Sequence, residues 1–273
     1  MKNVFRNSLL GCTVVALAAL SAWSACRTRQ AAAGAAPAAA GETVVLLHGL
    51  NRTPRAMARL EEALREEGYA VINAGYPSCS AEIATLSSNL FASLGPRLAP
   101  AARVHFVAHS MGGILLRHHL QAHALPNLGR VVMLGPPNGG SEVVDRLGGL
   151  AVFGWINGPA GRQLGTGAGS VPNRLAPPAF ELGVIAGRRS VNPLLSLLIA
   201  GRDDGKVAVA RTRVAGMSDF ICLPVTHTFM AGNPQVISQT CHFLRTGRFQ
   251  NQQEAAPGGR LPRIRNTEQR REK

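Results

Sequence analysis

The sequence predicts an α/β domain, a mostly parallel sheet of about six strands with helices on both faces. Three observations carry that expectation. Short apolar runs rich in β-branched residues recur along the middle of the chain, as strands buried on both faces require. Between them lie segments whose apolar residues repeat at helical spacing. The two kinds alternate, and alternation demands crossover connections, hence parallel pairing.

The elements follow in order. Thr43–Leu47 reads as the first strand. Thr53 is placed to cap a helix with Pro54 at its first position, and Gly68 ends it. Tyr69–Ala74 is the second strand. Ser80 is placed to cap the second helix, whose apolar stripe is Ile83, Leu86, Leu90 and Leu94. Val104–Ala108 is the third strand, Gly112–His123 the third helix and Val131–Leu134 the fourth strand, with Glu142 and Asp145 in the helix behind it. Gly148–Pro178 reads as a long excursion without regular secondary structure. Its Leu150, Val152, Phe153, Trp155 and Ile156 suit a cap that lines an apolar pocket. Gly183–Ala186 and Phe220–Val225 are the last strands, and Gln235–Leu244 the last helix. Residues 42–249 are expected to form one domain.

The flanks read differently. Lys2 and Arg6 precede the apolar run Leu9–Trp23, the layout of an export signal. Either Ala22-Trp23-Ser24 is cut before Ala25, or Trp23-Ser24-Ala25-Cys26 resembles a lipoprotein box with Cys26 acylated; an uncleaved anchor is the third reading. Residues 1–25 are therefore expected to be an export signal or anchor, 26–41 an Ala/Gly/Pro linker, and 250–273 a basic disordered tail. The expected location is periplasmic or membrane-anchored.

Composition bounds the class. At 46% hydrophobic residues the chain can bury a core without disulfide staples, and collagen-like or disulfide-scaffold classes are excluded. The balance of 29 Lys+Arg against 15 Asp+Glu suits contact with an anionic membrane surface through the tail. No nucleic-acid motif is present, and no nucleic-acid partner is expected. Cys79, Cys222 and Cys241 remain after export processing, and Cys222 could bridge to Cys241 in an oxidising compartment.

The chemistry concentrates in a few segments. Ala108-His109-Ser110-Met111-Gly112-Gly113 lies where the third strand enters a helix, the context of a nucleophile elbow. Such a turn is tight enough to need small residues two before and two after the serine, here Ala108 and Gly112. It lifts the hydroxyl above the sheet, with a helix N-terminus behind it to favour negative charge. His48-Gly49-Leu50 follows the first strand at the ligand-binding end of a parallel sheet. The backbone N–H groups of Leu50 and Met111 are the expected oxyanion donors, and His48 is expected to orient the loop.

A serine hydroxyl needs a base, and the base needs an orienting carboxylate. Of the acids after Ser110, Asp203 and Asp204 sit in the loop beyond the fifth strand. Asp204 is preferred, with Gly205 turning the chain away and Val207 returning it to the core. The alternative has Asp203 orienting the base and Asp204 capping a short helix over Val207–Arg213. His227 follows the last strand and is the expected base; His242 sits mid-helix. His118, His119 and His123 read as a solvated helix face rather than a metal site.

Leu46-Leu47-His48-Gly49-Leu50, Ala108–Gly113, Gly135–Ser141, Asp204-Gly205-Lys206-Val207 and Val225-Thr226-His227-Thr228-Phe229 together resemble the α/β-hydrolases of the bacterial esterase and lipase type. They are similar in particular to the group related to triacylglycerol lipases and GPI inositol-deacylases. The resemblance implies cleavage of a carboxylic ester through an acyl-enzyme, on an acyl or lipid-like substrate, with no metal or organic cofactor. Acyltransferase or thioesterase chemistry on the same three residues is an alternative. An inactive membrane-tethered binding protein is another.

Overall fold

The computed structural model describes residues 41–250. The export segment, Cys26, nearly all of the linker and nearly all of the basic tail lie outside the described residues.

Six strands form one sheet: β1 (Glu42–Leu47), β2 (Ala70–Ala74), β3 (Arg103–His109), β4 (Leu128–Leu134), β5 (Leu182–Gly187) and β6 (Asp219–Leu223). Their order is β2-β1-β3-β4-β5-β6, and every neighbouring pair is parallel. The period-two geometry of a strand divides the apolar residues between two layers. Val45 and Leu47 of β1, with Phe106 and Ala108 of β3, face one layer, filled by Ile83, Leu86, Leu90 and Leu94 of α2 (Ile83–Leu98) and by Ile114 and Leu115 of α3 (Met111–Ala122). Val44 and Leu46, with Val107 and Val132, face the other, filled by Leu60 and Leu64 of α1 (Ala58–Glu66) and by Val236, Phe243 and Leu244 of α9 (Pro234–Thr246). Both faces of the sheet are covered, so its strands can be apolar throughout.

Three local expectations are corrected. Thr53 makes no capping bond: the chain first forms a 3₁₀ turn over Pro54–Met57, and α1 begins at Ala58. Ser80 is not a cap either; its hydroxyl donates to the Pro77 carbonyl at 3.0 Å, and α2 starts three residues later, with Glu82 at its N-cap. The stretch Gly148–Pro178 is not irregular, since it holds α5 (Ala151–Arg162) and the short α6 (Val171–Arg174) behind α4 (Glu142–Leu147). At Gly158, φ is 63° and α5 kinks; a Cβ there would lie 1.9 Å from the Cys79 carbonyl oxygen. Only glycine fits there, and the Pro159 that follows also bars a helical conformation at Gly158, so contact and local sequence both set the kink. Two short helices complete the set, α7 (Pro193–Ser196) and α8 (Val209–Thr212). Cys79, Cys222 and Cys241 are free thiols, so the bridge between Cys222 and Cys241 is not formed. Among the described residues no helix is long and apolar enough to cross a membrane.

Candidate active site

β3 ends in a turn that only a few residue types allow. Ser110 has φ 53° and ψ −123°, a backbone conformation that costs about 1–3 kcal/mol and persists only when its surroundings fix it. They do. Its N–H donates to the Leu134 carbonyl at 2.9 Å. Two residues on, a Cβ at Gly112 would lie 2.7 Å from the His48 carbonyl oxygen and 2.8 Å from that of Leu47. Both obstacles are backbone and cannot yield, which is why α3 can begin here only with a glycine at that place. Ala108 is fully buried on the other side of the turn.

The loops after β5 and β6 meet Ser110. His227 Nε2 lies 3.0 Å from Ser110 Oγ, and its Nδ1 lies 2.7 Å from Asp204 Oδ2. A carboxylate only accepts, so Nδ1 carries the proton and Nε2 is left to accept from the hydroxyl. The other carboxylate oxygen of Asp204 accepts the N–H groups of Lys206 at 3.1 Å and Val207 at 2.9 Å. The His227 N–H donates to the Asp204 carbonyl at 2.9 Å. Asp204 and His227 are both buried, so neither can swing into solvent.

Asp203 points elsewhere. Its Oδ1 accepts from the Ser196 hydroxyl at 2.7 Å and from the Gly205 N–H at 2.7 Å, tying the loop to α7. Of the adjacent aspartates it is Asp204 that contacts His227, and α8 starts at Val209 with Ala208, not Asp204, at its N-cap.

His48 shapes the loop after β1. Its Nδ1 donates to the Gly49 carbonyl at 2.9 Å, its ring stacks on Tyr76 at 4.2 Å between centroids, and the Tyr76 hydroxyl donates back to its carbonyl. Burial lowers its pKa and favours the neutral ring these bonds need. Leu50 is held there beside Ser110. Met111 opens α3, so its N–H has no intrahelical partner. Leu50 thus lines the same cavity as Ser110, and Met111 follows the serine directly in the chain.

A model of the alpha/beta hydrolase family matches residues 44–265. The chain belongs to the alpha/beta hydrolase family. No curated protein matches it in sequence. Among solved structures it is similar to the mature Bacillus licheniformis lipase BlEst2, with 21% identity and a TM-score of 0.54 over 72% of this chain and 89% of that one. The propeptide form of the same lipase gives 24% identity, a TM-score of 0.54 and coverage of 72% and 48%. Lipase 1 from Pelosinus fermentans gives 13% identity and a TM-score of 0.55 over 75% of this chain and 97% of that one. At these identities the likeness is one of fold.

This alpha/beta hydrolase has a cavity of about 270 Å³ beside Ser110 and His227. Its apolar wall comes from Val143, Val144 and Leu147 of α4, Phe153 of α5, and Leu164 and Leu195. While Phe153 faces the cavity, Leu150, Val152 and Trp155 around the start of α5 are exposed, Trp155 by 86%. Of the five residues expected to line a cap, only Phe153 lines the cavity; Ile156 is exposed like the other three.

Two site residues escaped the sequence reading. His109 Nε2 donates to the His227 carbonyl at 3.0 Å. Burial, and then the nearby His227, push the His109 pKa well below the usual value, with the carbonyl bond only partly opposing them. Gly135, with φ 53°, follows β4, and a Cβ there would sit 3.0 Å from Asp204 Oδ2 and 3.2 Å from His227 Nδ1. The available signal was position: one is the neighbour of the serine, the other ends a sheet strand.

Proposed function

We propose that this alpha/beta hydrolase is a serine hydrolase of the esterase or lipase type, cleaving carboxylic acyl esters through an acyl-enzyme. Ser110 Oγ attacks the ester carbonyl carbon while His227 Nε2 takes its proton. The resulting oxyanion receives the N–H groups of Leu50 and Met111, each such donor being worth roughly 3 kcal/mol in the transition state. Asp204 holds the imidazolium that forms. The C–O bond to the alcohol breaks as His227 returns the proton to the leaving oxygen. A water, deprotonated by the same nitrogen, then attacks the acyl carbon, and Ser110 leaves with the proton.

The observation that carries this reading is the unbroken chain of bonds from Ser110 Oγ through both nitrogens of His227 to Asp204, at 3.0 and 2.7 Å. The apolar wall from α4 and α5 supports an acyl chain as the bound group, and the exposed Trp155 face supports a lipid-like source for it. Ser110→Ala is expected to abolish turnover of chromogenic acyl esters and labelling by a fluorophosphonate, with an unchanged circular dichroism spectrum. Retained turnover overturns the reading. Export is proposed with it, on the strength of Leu9–Trp23 and Cys26. Mass spectrometry of the mature N-terminus tests it, by finding a lipidated Cys26, a start at Ala25, or an uncut chain.

A further inference from the structure

The mechanism above uses no arginine or lysine, yet two such residues line the Ser110 cavity, Arg52 and Lys206. Arg52 ends the loop that carries Leu50, and its N–H closes that turn on the Gly49 carbonyl at 3.2 Å. The Lys206 N–H donates to Asp204 Oδ1 at 3.1 Å, and its carbonyl accepts the Ser141 hydroxyl at 2.7 Å. The bonds that shape the site thus also fix where both long side chains begin.

Among the described residues neither cation forms an ion pair. The arginine and lysine ion pairs among those residues are those of Arg65, Arg103, Arg130, Arg211 and Arg245. Asp204 lies near Lys206, but its oxygens are taken by His227 and by the N–H groups of Lys206 and Val207. Lys206 is exposed at the cavity, and partial desolvation, then the Arg52 charge, push its ammonium below the ordinary pKa, with Asp204 opposing them in part. Two like charges held at one cavity oppose each other until an anion enters between them.

We propose that Arg52 and Lys206 form an anion subsite, and that the ester cleaved at Ser110 carries a carboxylate or phosphate group near its scissile bond. This rests on the reading of Ser110 as the nucleophile. A guanidinium presents a planar fork and an ammonium a mobile point charge, and both suit a compact oxyanion. The apolar wall takes the acyl chain, while the two cations select the charged end of the same molecule and draw it in.

The test compares kcat/KM for matched esters. One arm sets a monoacylglycerol against the same acyl group on glycerol phosphate, placing the anion on the alcohol. The other sets p-nitrophenyl butyrate against the p-nitrophenyl monoester of glutaric acid, placing it on the acyl chain. At low salt one arm is expected to favour the anionic ester by about tenfold or more. That preference should shrink as sodium chloride is raised and vanish in Arg52→Gln/Lys206→Gln. No preference in either arm, or one that survives the double substitution, overturns the subsite. Ser110-dependent turnover of the neutral esters would then leave the hydrolase reading standing.

A second readout needs no turnover. Lys206 is the only lysine among the described residues, so its acylation by an amine reagent can be followed by peptide mass spectrometry. Millimolar inorganic phosphate is expected to slow that acylation in the wild type and not in Arg52→Gln. Equal rates with and without phosphate overturn the subsite even if no ester is ever cleaved.

Discussion

His109 Nε2 donates to the main-chain carbonyl of His227 across 3.0 Å, so the residue before Ser110 holds the loop that presents the proposed base. The carbonyl can only accept, which fixes the proton on Nε2 and, with burial disfavouring the charged ring, keeps His109 neutral. It touches no reacting atom and acts through His227.

His109→Leu is therefore expected to lower kcat by about 10–100-fold with little change in KM, because His227 loses its register while the acyl wall stays intact. His109→Gln, which restores an N–H donor, should recover part of the loss. Steady-state kinetics on one chromogenic ester separates the outcomes. A raised KM at unchanged kcat would mean that the residue serves the cavity instead.

The adjacent aspartates should behave oppositely. Asp204→Asn removes the acceptor that fixes the His227 tautomer, and kcat should fall by about 10³–10⁴-fold. Asp203→Asn keeps the Oδ1 that Ser196 and Gly205 use and should leave kcat within about twofold. Asp203→Ala loses both bonds and should cost about 1–2 kcal/mol in urea unfolding, again without loss of kcat in the folded fraction.

That pair also shows what was legible in the sequence. The central strands were, because burial on both faces keeps their middles largely apolar: Val44-Val45-Leu46-Leu47 is fully buried. Ser110 and His227 were, because strand ends fix where a loop residue must lie. The order of Asp203 and Asp204 within one loop was not decided by spacing, since only side-chain direction separates them, and backbone bonds to Lys206 and Val207 set it. α5 was hidden because Gly154, Gly158, Pro159 and Gly161 all argue against a helix locally. Contact with Cys79 and the cavity outweighs that propensity. Ser80 looked like a cap because its residue type suits one, yet it closes a turn instead.

Gly112 gives a packing test of the elbow. An alanine Cβ would meet two backbone oxygens at 2.7 and 2.8 Å, so the β1 loop or α3 must shift. Gly112→Ala should cost about 1–3 kcal/mol and depress kcat, since the same shift moves Leu50 and Met111. Gly149→Ala, where nothing lies within 4 Å of the added atom, should change neither. Thermal melts of both variants check the contrast, with each kcal/mol worth about 2–4 °C in a domain of this size.

Stability should also depend on pH through buried neutral histidines. His48, His105 and His109 are at most 4% exposed, and burial is the main cause that lowers each below the usual 6.5. In the unfolded chain all three titrate near that value. Below it the unfolded state binds more protons than the folded one, so stability must fall as pH falls, by up to about 1.4 kcal/mol per pH unit for each histidine. Above it both states are neutral and these groups contribute no slope. Glu61, held down by Arg65 and Asn73, works in the same direction but only below its ordinary 4.5. The window between 6.5 and 4.5 therefore belongs to the histidines. The urea midpoint is expected to drop across it, and His109→Gln to flatten the drop, because glutamine has no proton to gain. A midpoint that stays level from pH 7 to pH 5 would show that these rings are charged in the folded protein, and His109 could not then be kept neutral behind Ser110.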